Sequence, residues 1–144
     1  MGYGERNSWA ALGASAIGVI VYLALIVPQL QSTEAAEIVW FWPMLWTIMG
    51  AIALSIIASI IWGIVAGARH PEDAAVEDVR DKDIARLGSR VGQAFLVIAM
   101  LGALILAAVR ADWFWIANTL YLGFALSAIT DGTTRIIVYR TGMP

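Results

Sequence analysis

The chain has no cysteine and a single histidine, His70, so disulfides, thiolate-held metals and any site that needs two imidazoles are excluded. Charge is also scarce: 14% of the residues are charged, against about 25% in an ordinary soluble domain. The few that exist nearly cancel, with 9 Lys and Arg against 11 Asp and Glu, and most lie in one central stretch and at the chain ends. A basic surface for direct contact with nucleic acid is therefore not expected.

What is present is apolar. Of 144 residues, 60% are hydrophobic, which in water would leave large patches uncovered and in lipid accounts for four spans of ~20 residues. The expected fold is all-α, a single-domain integral membrane four-helix bundle of two hairpins. Its spans are placed at about 9–30, 42–68, 91–109 and 113–139. The first run opens after Arg6 much as a signal peptide does, but it exceeds an h-region of ~7–15 residues and has no small-x-small cleavage site before Glu37. It is read as a retained span that bends or ends near Pro28. The linker QSTEAAE carries Glu34 and Glu37 and no cation.

The second run opens with Trp40, Phe41, Trp42 and Pro43, and proline suits a first helical turn because its missing N–H has no partner there anyway. Ala51, Ser55, Ser59, Gly63 and Gly67 recur every fourth residue. Such a small-residue face lets another helix approach closely, either within the bundle or from a second subunit, making a homo-oligomer one of two readings. A similar stripe, Ala99, Ala103 and Ala107, marks the third span.

Between the hairpins lies 69–90, RHPEDAAVEDVRDKDIARLGSR. Val76, Val79, Ile84, Leu87 and Val91 fall mostly at helical spacings, and Glu77/Arg80, Asp78/Lys82 and Asp83/Arg86 are in pairing positions. The stretch predicts a short amphipathic helix running into the third span. Its acidic run, Glu72, Asp73, Glu77, Asp78, Asp81 and Asp83, lacks the glycine and alternate spacing of a calcium loop and reads as a solvated face. Arg6, Arg69, Arg80, Lys82, Arg86, Arg90, Arg135 and Arg140 all fall on one side of the expected topology and only Arg110 on the other. The positive-inside rule then places both termini and the central stretch in the cytoplasm.

Trp40, Phe41 and Trp42 precede Gly50 by the same interval at which Trp113, Phe114 and Trp115 precede Gly123. Either the hairpins are a parallel internal repeat, or both belong to an aromatic belt at one interface. Trp40, Trp42, Trp46, Trp113 and Trp115 would on a third reading cage a cation or an amphiphile.

Asp131 is the leading chemical candidate, since an ionisable group within a span is costly. Arg135 lies one turn further on, so an ion pair is one reading and a proton or ion site the other. Gly123, Ser127, Asp131 and Arg135 share a face, predicting an inward polar stripe. Asn118 and Tyr121 are placed to hydrogen-bond across the bundle. No nucleophile, base or metal set follows a recognisable motif, so neither catalysis nor a cofactor is expected.

The segments FWPMLWTI, DKDIARLGSRVG and DWFWIANTLYL resemble a family of short bacterial inner-membrane proteins, common in actinobacteria, without an assigned biochemical activity. The resemblance runs from about Trp42 to Arg140 and is most specific at Gly88 to Gly92 and at Trp115 to Leu122. Members are often encoded beside a small helix-turn-helix regulator, which implies a regulatory or stress-linked role by association. They carry a denser charged run than the VRDKDI found here. The sequence thus points first to a non-enzymatic module showing Arg80, Lys82, Arg86 and Arg90 to a cytoplasmic protein. The alternative is a small transporter or channel whose path Asp131 lines.

Overall fold

The computed structural model describes residues 3–69 and 79–142, and among them every regular element is helical. His70, Glu72, Asp73, Glu77 and Asp78 lie outside the described residues, and with them the pairings Glu77/Arg80 and Asp78/Lys82. The elements are α1 (Tyr3–Ser32), a 3-10 turn (Ala35–Glu37), α2 (Phe41–Arg69), α3 (Val79–Ala108) and α4 (Trp113–Thr141). Each long helix has 29 or 30 residues. At 1.5 Å per residue that is about 44 Å, enough for the hydrocarbon layer and its headgroups together. All four are long and apolar enough to cross a membrane, and the chain has a multi-pass, all-helical membrane topology.

The helices alternate in direction, which gathers residues near Glu5, Asp81 and Arg140 at one end, called here the charged end. Trp40, Trp113 and the two hairpin turns lie at the other, the aromatic end. Packing joins α3 to α4, α4 to α1 and α1 to α2, so the helices stand in the order α2, α1, α4, α3. The bundle is therefore open, with α2 and α3 as its flanks. Near the aromatic end Tyr22, Ile26, Ile38, Phe114 and Tyr121 form the buried core, which Ala35, Trp40 and Met44 border.

Two helix ends differ from expectation. The first helix starts at Tyr3 rather than Trp9 and passes through Pro28 to Ser32. One missing donor does not stop it, and side chains add bonds in the last turns: Gln29 Nε2 donates to the Leu25 carbonyl at 3.0 Å and Ser32 Oγ to that of Pro28 at 3.2 Å. Gln29 Oε1 also accepts from the Val39 amide at 3.2 Å, tying the linker back to α1. The second is the start of α3: the helix begins at Val79, not at Val91 where the span was placed, so 79–90 is helical. It is the first three turns of α3, continuous with the apolar segment, as the amphipathic spacing predicts.

The turn from α3 to α4 is short. Arg110 adopts φ 57°, the Ala111 amide bonds back to the Leu106 carbonyl at 2.9 Å, and the Arg110 amide to Ala107 at 3.1 Å. This is the Schellman arrangement, with arginine where glycine is usual. Asp112 then caps α4 by accepting from the Phe114 amide at 2.8 Å.

Candidate functional site

Helical spacing builds the site. Gly88 and Gly92, four apart on α3, are buried, and opposite them on α4 stand Ser127, Asp131 and Arg135, also four apart. A Cβ at Gly92 would stand 2.7 Å from the Ser127 carbonyl oxygen, and one at Gly88 would stand 2.8 Å from Arg135 Cγ and overlap Asp131 Oδ1. Both positions need glycine for the helices to come this close. One turn of contact further on, Gly123 of α4 meets Ala99 of α3 so closely that a methyl group there would overlap the alanine side chain.

Arg135 grips Asp131 with both edges of the carboxylate: Nε to Oδ1 and Nη2 to Oδ2, each at 2.8 Å. Nη2 also donates to Ser89 Oγ of α3 at 3.3 Å. Both side chains are 27% exposed, so the pair is partly withdrawn from its surroundings. The shared face expected of Gly123, Ser127, Asp131 and Arg135 is real, and it faces α3. A carboxylate with both oxygens engaged by a guanidinium has no free edge to offer a cation. The geometry is that of an ion pair within α4 that reaches α3 only through Ser89.

Further contacts close the charged end. The Tyr139 hydroxyl donates to Asp81 Oδ1 at 2.9 Å, and Gly4 of α1 lies against that hydroxyl. Glu5 sits 3.7 Å from Arg140, whose guanidinium lies 5.5 Å from the centre of the Trp9 ring. Ile84 is fully buried beneath these groups. The N-terminal turns of α1 and α3 are thereby fixed to the last turns of α4.

Asn118 and Tyr121 do bond across the bundle, through a partner sequence reading missed. Tyr22 of α1 donates to Asn118 Oδ1 at 2.6 Å, Asn118 Nδ2 donates to the Phe114 carbonyl at 2.8 Å, and Tyr121 reaches the Gly18 carbonyl at 3.4 Å. The Tyr22 and Tyr121 rings stack at a tilt, 4.3 Å apart. The only signal in the sequence was a lone tyrosine among aliphatic residues.

The small-residue stripe of α2 turns toward α1. Ala51 stands against Gly18, and Ser59 Oγ bonds Asn7 Oδ1 as well as the Ser55 carbonyl. Gly63 has open space around it, and the surroundings of Gly67 lie outside those described. The outer tryptophans do not converge on a cage. Trp40 borders the core, Trp42 and Trp46 line a groove between α1 and α2, and Trp113 is 78% exposed. Ring contacts run between sequence neighbours, Trp40 with Phe41, Phe41 with Trp42, and Phe114 with Trp115. The rings are spread as an interfacial belt would be.

That groove, about 550 Å³, and a second of about 610 Å³ among α1, α2 and α4 are lined almost wholly by apolar side chains, and neither reaches Asp131. No group of three or more His, Cys, Asp or Glu among the described residues is close enough to hold a metal. Arg80, Lys82, Arg86 and Arg90 are exposed on α3, where Arg86 has a loose contact with Asp83 at 3.4 Å. No family model, curated protein or solved structure matches the chain. Of the resemblance drawn from the sequence, the structure supports the largely apolar bundle of four spans.

Proposed function

We propose that the chain is a non-enzymatic protein of the bacterial inner membrane, with both termini in the cytoplasm, that presents the exposed face of 79–90 to a cytoplasmic protein. The observation that carries this reading is the helical extension of α3 beyond its apolar segment, packed against α4. Asp81 bonded to Tyr139, Ile84 buried, and Gly88 pressed on the Asp131 and Arg135 pair hold those turns against α4. Arg80 and Lys82 are left exposed at the far end. A fixed cationic helix gives a partner an ordered surface, so little entropy is lost in ordering it on binding.

Orientation rests on the cation count: the helix directions bring every Lys and Arg except Arg110 to the charged end. Alkaline phosphatase fused after residue 144 should be inactive in cells, and strong activity would reverse the assignment. A photo-crosslinker at Val79, which is 72% exposed, should give one discrete adduct with a soluble protein in living cells. That adduct should disappear with Arg80→Glu and Lys82→Glu. An adduct indifferent to both charge reversals, or lipid adducts alone, would overturn the reading. A transporter using Asp131 gains no support from a carboxylate whose two oxygens are already held.

A further inference from the structure

Lys82, Arg86 and Arg90 are exposed and four residues apart, so they form one row on the side of α3 that faces away from α4. The same side continues without a break into exposed Val97, Ile98, Leu101, Leu104 and Ile105. Arg90 directly precedes the apolar segment. Arg86 is one turn beyond it, about 6 Å along the axis, and Lys82 a further 6 Å. Lipid phosphates lie just outside the hydrocarbon layer, so Arg86 and Arg90 are at their level and Lys82 is past it.

At that level α3 carries a shallow concavity of about 390 Å³ lined by Ala85, Arg86, Ser89, Arg90 and Gln93. Its wall offers two guanidinium groups, a hydroxyl and a side-chain amide. Ser89 Oγ already accepts from Arg135 Nη2 at 3.3 Å, which leaves its own proton for an acceptor in the concavity. Arg90 has no salt bridge among the described residues, and Arg86 has only the loose one to Asp83. Small residues, Ala85 and Ser89, form the floor, so a phosphate group has room between the two arginines.

We propose that this concavity is a binding site for an anionic phospholipid, its phosphate held by Arg86 and Arg90 with the Ser89 hydroxyl and Gln93 amide, and its acyl chains along the exposed face through Val97 and Leu101. Guanidinium forks bind phosphate oxygens in pairs, and a charged head continuous with an apolar tail matches a row that changes from arginine to aliphatic at Val91. The inference goes beyond the protein-partner reading. It concerns the membrane-proximal half of the row, and it holds whichever leaflet that half occupies.

The test is native mass spectrometry of the full chain released from bilayers of phosphatidylglycerol and phosphatidylcholine in equal parts. The wild-type chain should retain one phosphatidylglycerol at least tenfold more often than phosphatidylcholine. Arg86→Gln with Arg90→Gln should bring that ratio near one, while Arg80→Gln with Lys82→Gln should leave it within twofold. Arg86→Lys with Arg90→Lys should keep part of the preference, since the charge stays while the paired fork is lost, which guards against misfolding as the cause of any loss. Excess glycerol phosphate should not displace the lipid. No preference in the wild-type chain, a preference that survives Arg86→Gln with Arg90→Gln, or displacement by glycerol phosphate would each overturn the proposal. Because the variants that test the protein partner are at Arg80 and Lys82, either inference can fail alone.

Discussion

Gly50 and Gly123 stand at the same distance from a Trp-Phe-Trp triplet, and their surroundings are opposite. A methyl group on Gly123 would overlap Ala99, whereas one on Gly50 would meet nothing within 4 Å. The triplets differ likewise: Phe114 is 1% exposed and Phe41 53%. Hairpin α3/α4 is closed along its length by Gly88, Gly92, Ala99 and Gly123 and carries the bidentate ion pair. Hairpin α1/α2 is joined at fewer close points, chiefly Gly18 on Ala51 and Asn7 on Ser59. Small residues on one helix permit close approach; the facing helix decides whether it happens. If the two halves share an origin, their packing no longer reflects it.

The largest expected effect separates the two glycines directly. Gly123→Ala should destabilise the chain by about 1–3 kcal/mol through overpacking against Ala99, measured by denaturant titration in detergent micelles. Adding Ala99→Gly should restore most of the loss, since the overlap is between those two positions. Gly50→Ala should be neutral or stabilise by up to ~1 kcal/mol, because open space meets a better helix former. Equal losses at both positions would mean that the hairpins are packed alike.

Next comes the ion pair. Arg135→Met strands the Asp131 carboxylate against Gly88 and should cost about 1–2 kcal/mol, less than a fully buried pair because both side chains keep some exposure. Arg135→Met with Asp131→Leu should cost less than the single change, giving a coupling of about 1 kcal/mol or more in the double-mutant cycle. Arg86→Met, which breaks only the exposed contact with Asp83, should stay within about 0.5 kcal/mol. Additive single changes at 131 and 135 would mean that the pair contributes nothing as a pair.

These contrasts also mark what was legible. Four spans follow from apolar runs that lipid tolerates and water does not, and the amphipathic start of α3 follows from period alone. The Asp131 and Arg135 pair was readable because both residues lie on one helix face. Its seat was not. Gly88 and Gly92 are spaced as a close-packing motif, but the Ser89 and Arg90 between them read as part of a charged stretch. The α2 stripe is long and regular, though spacing is silent about which helix lies opposite. Tyr22 with Asn118, and Asp81 with Tyr139, join residues far apart in sequence, and no local period encodes such pairs. Pro28 marks only the approach to the end of α1: the helix carries on for one more turn, to Ser32, since a proline is tolerated in membrane-spanning helices.

Smaller effects test the ends of the two hairpins. Tyr22→Phe removes the bond to Asn118 while keeping the ring on Tyr121, and should cost ~0.6–2 kcal/mol by the same titration. A change below the error of the method would mean that Asn118 finds another donor in the unfolded chain within the micelle.

The smallest effect has the opposite sign. Arg110 holds φ 57° at the α3/α4 turn, a conformation costly for a side chain with a Cβ, while the Ala111 and Arg110 amides complete the turn through the backbone alone. Arg110→Gly relieves that cost, and the extra freedom it gives the unfolded chain offsets part of the gain. The net should be a stabilisation on the order of 0.5 kcal/mol, seen as a small rise in the denaturation midpoint. Among the described residues Arg110 is also the only cation at the aromatic end, so its removal should leave the orientation of the phosphatase fusion unchanged. A loss of stability instead would show that the arginine side chain holds the turn, and the tightness of this hairpin would then begin at its turn as well as along its helices.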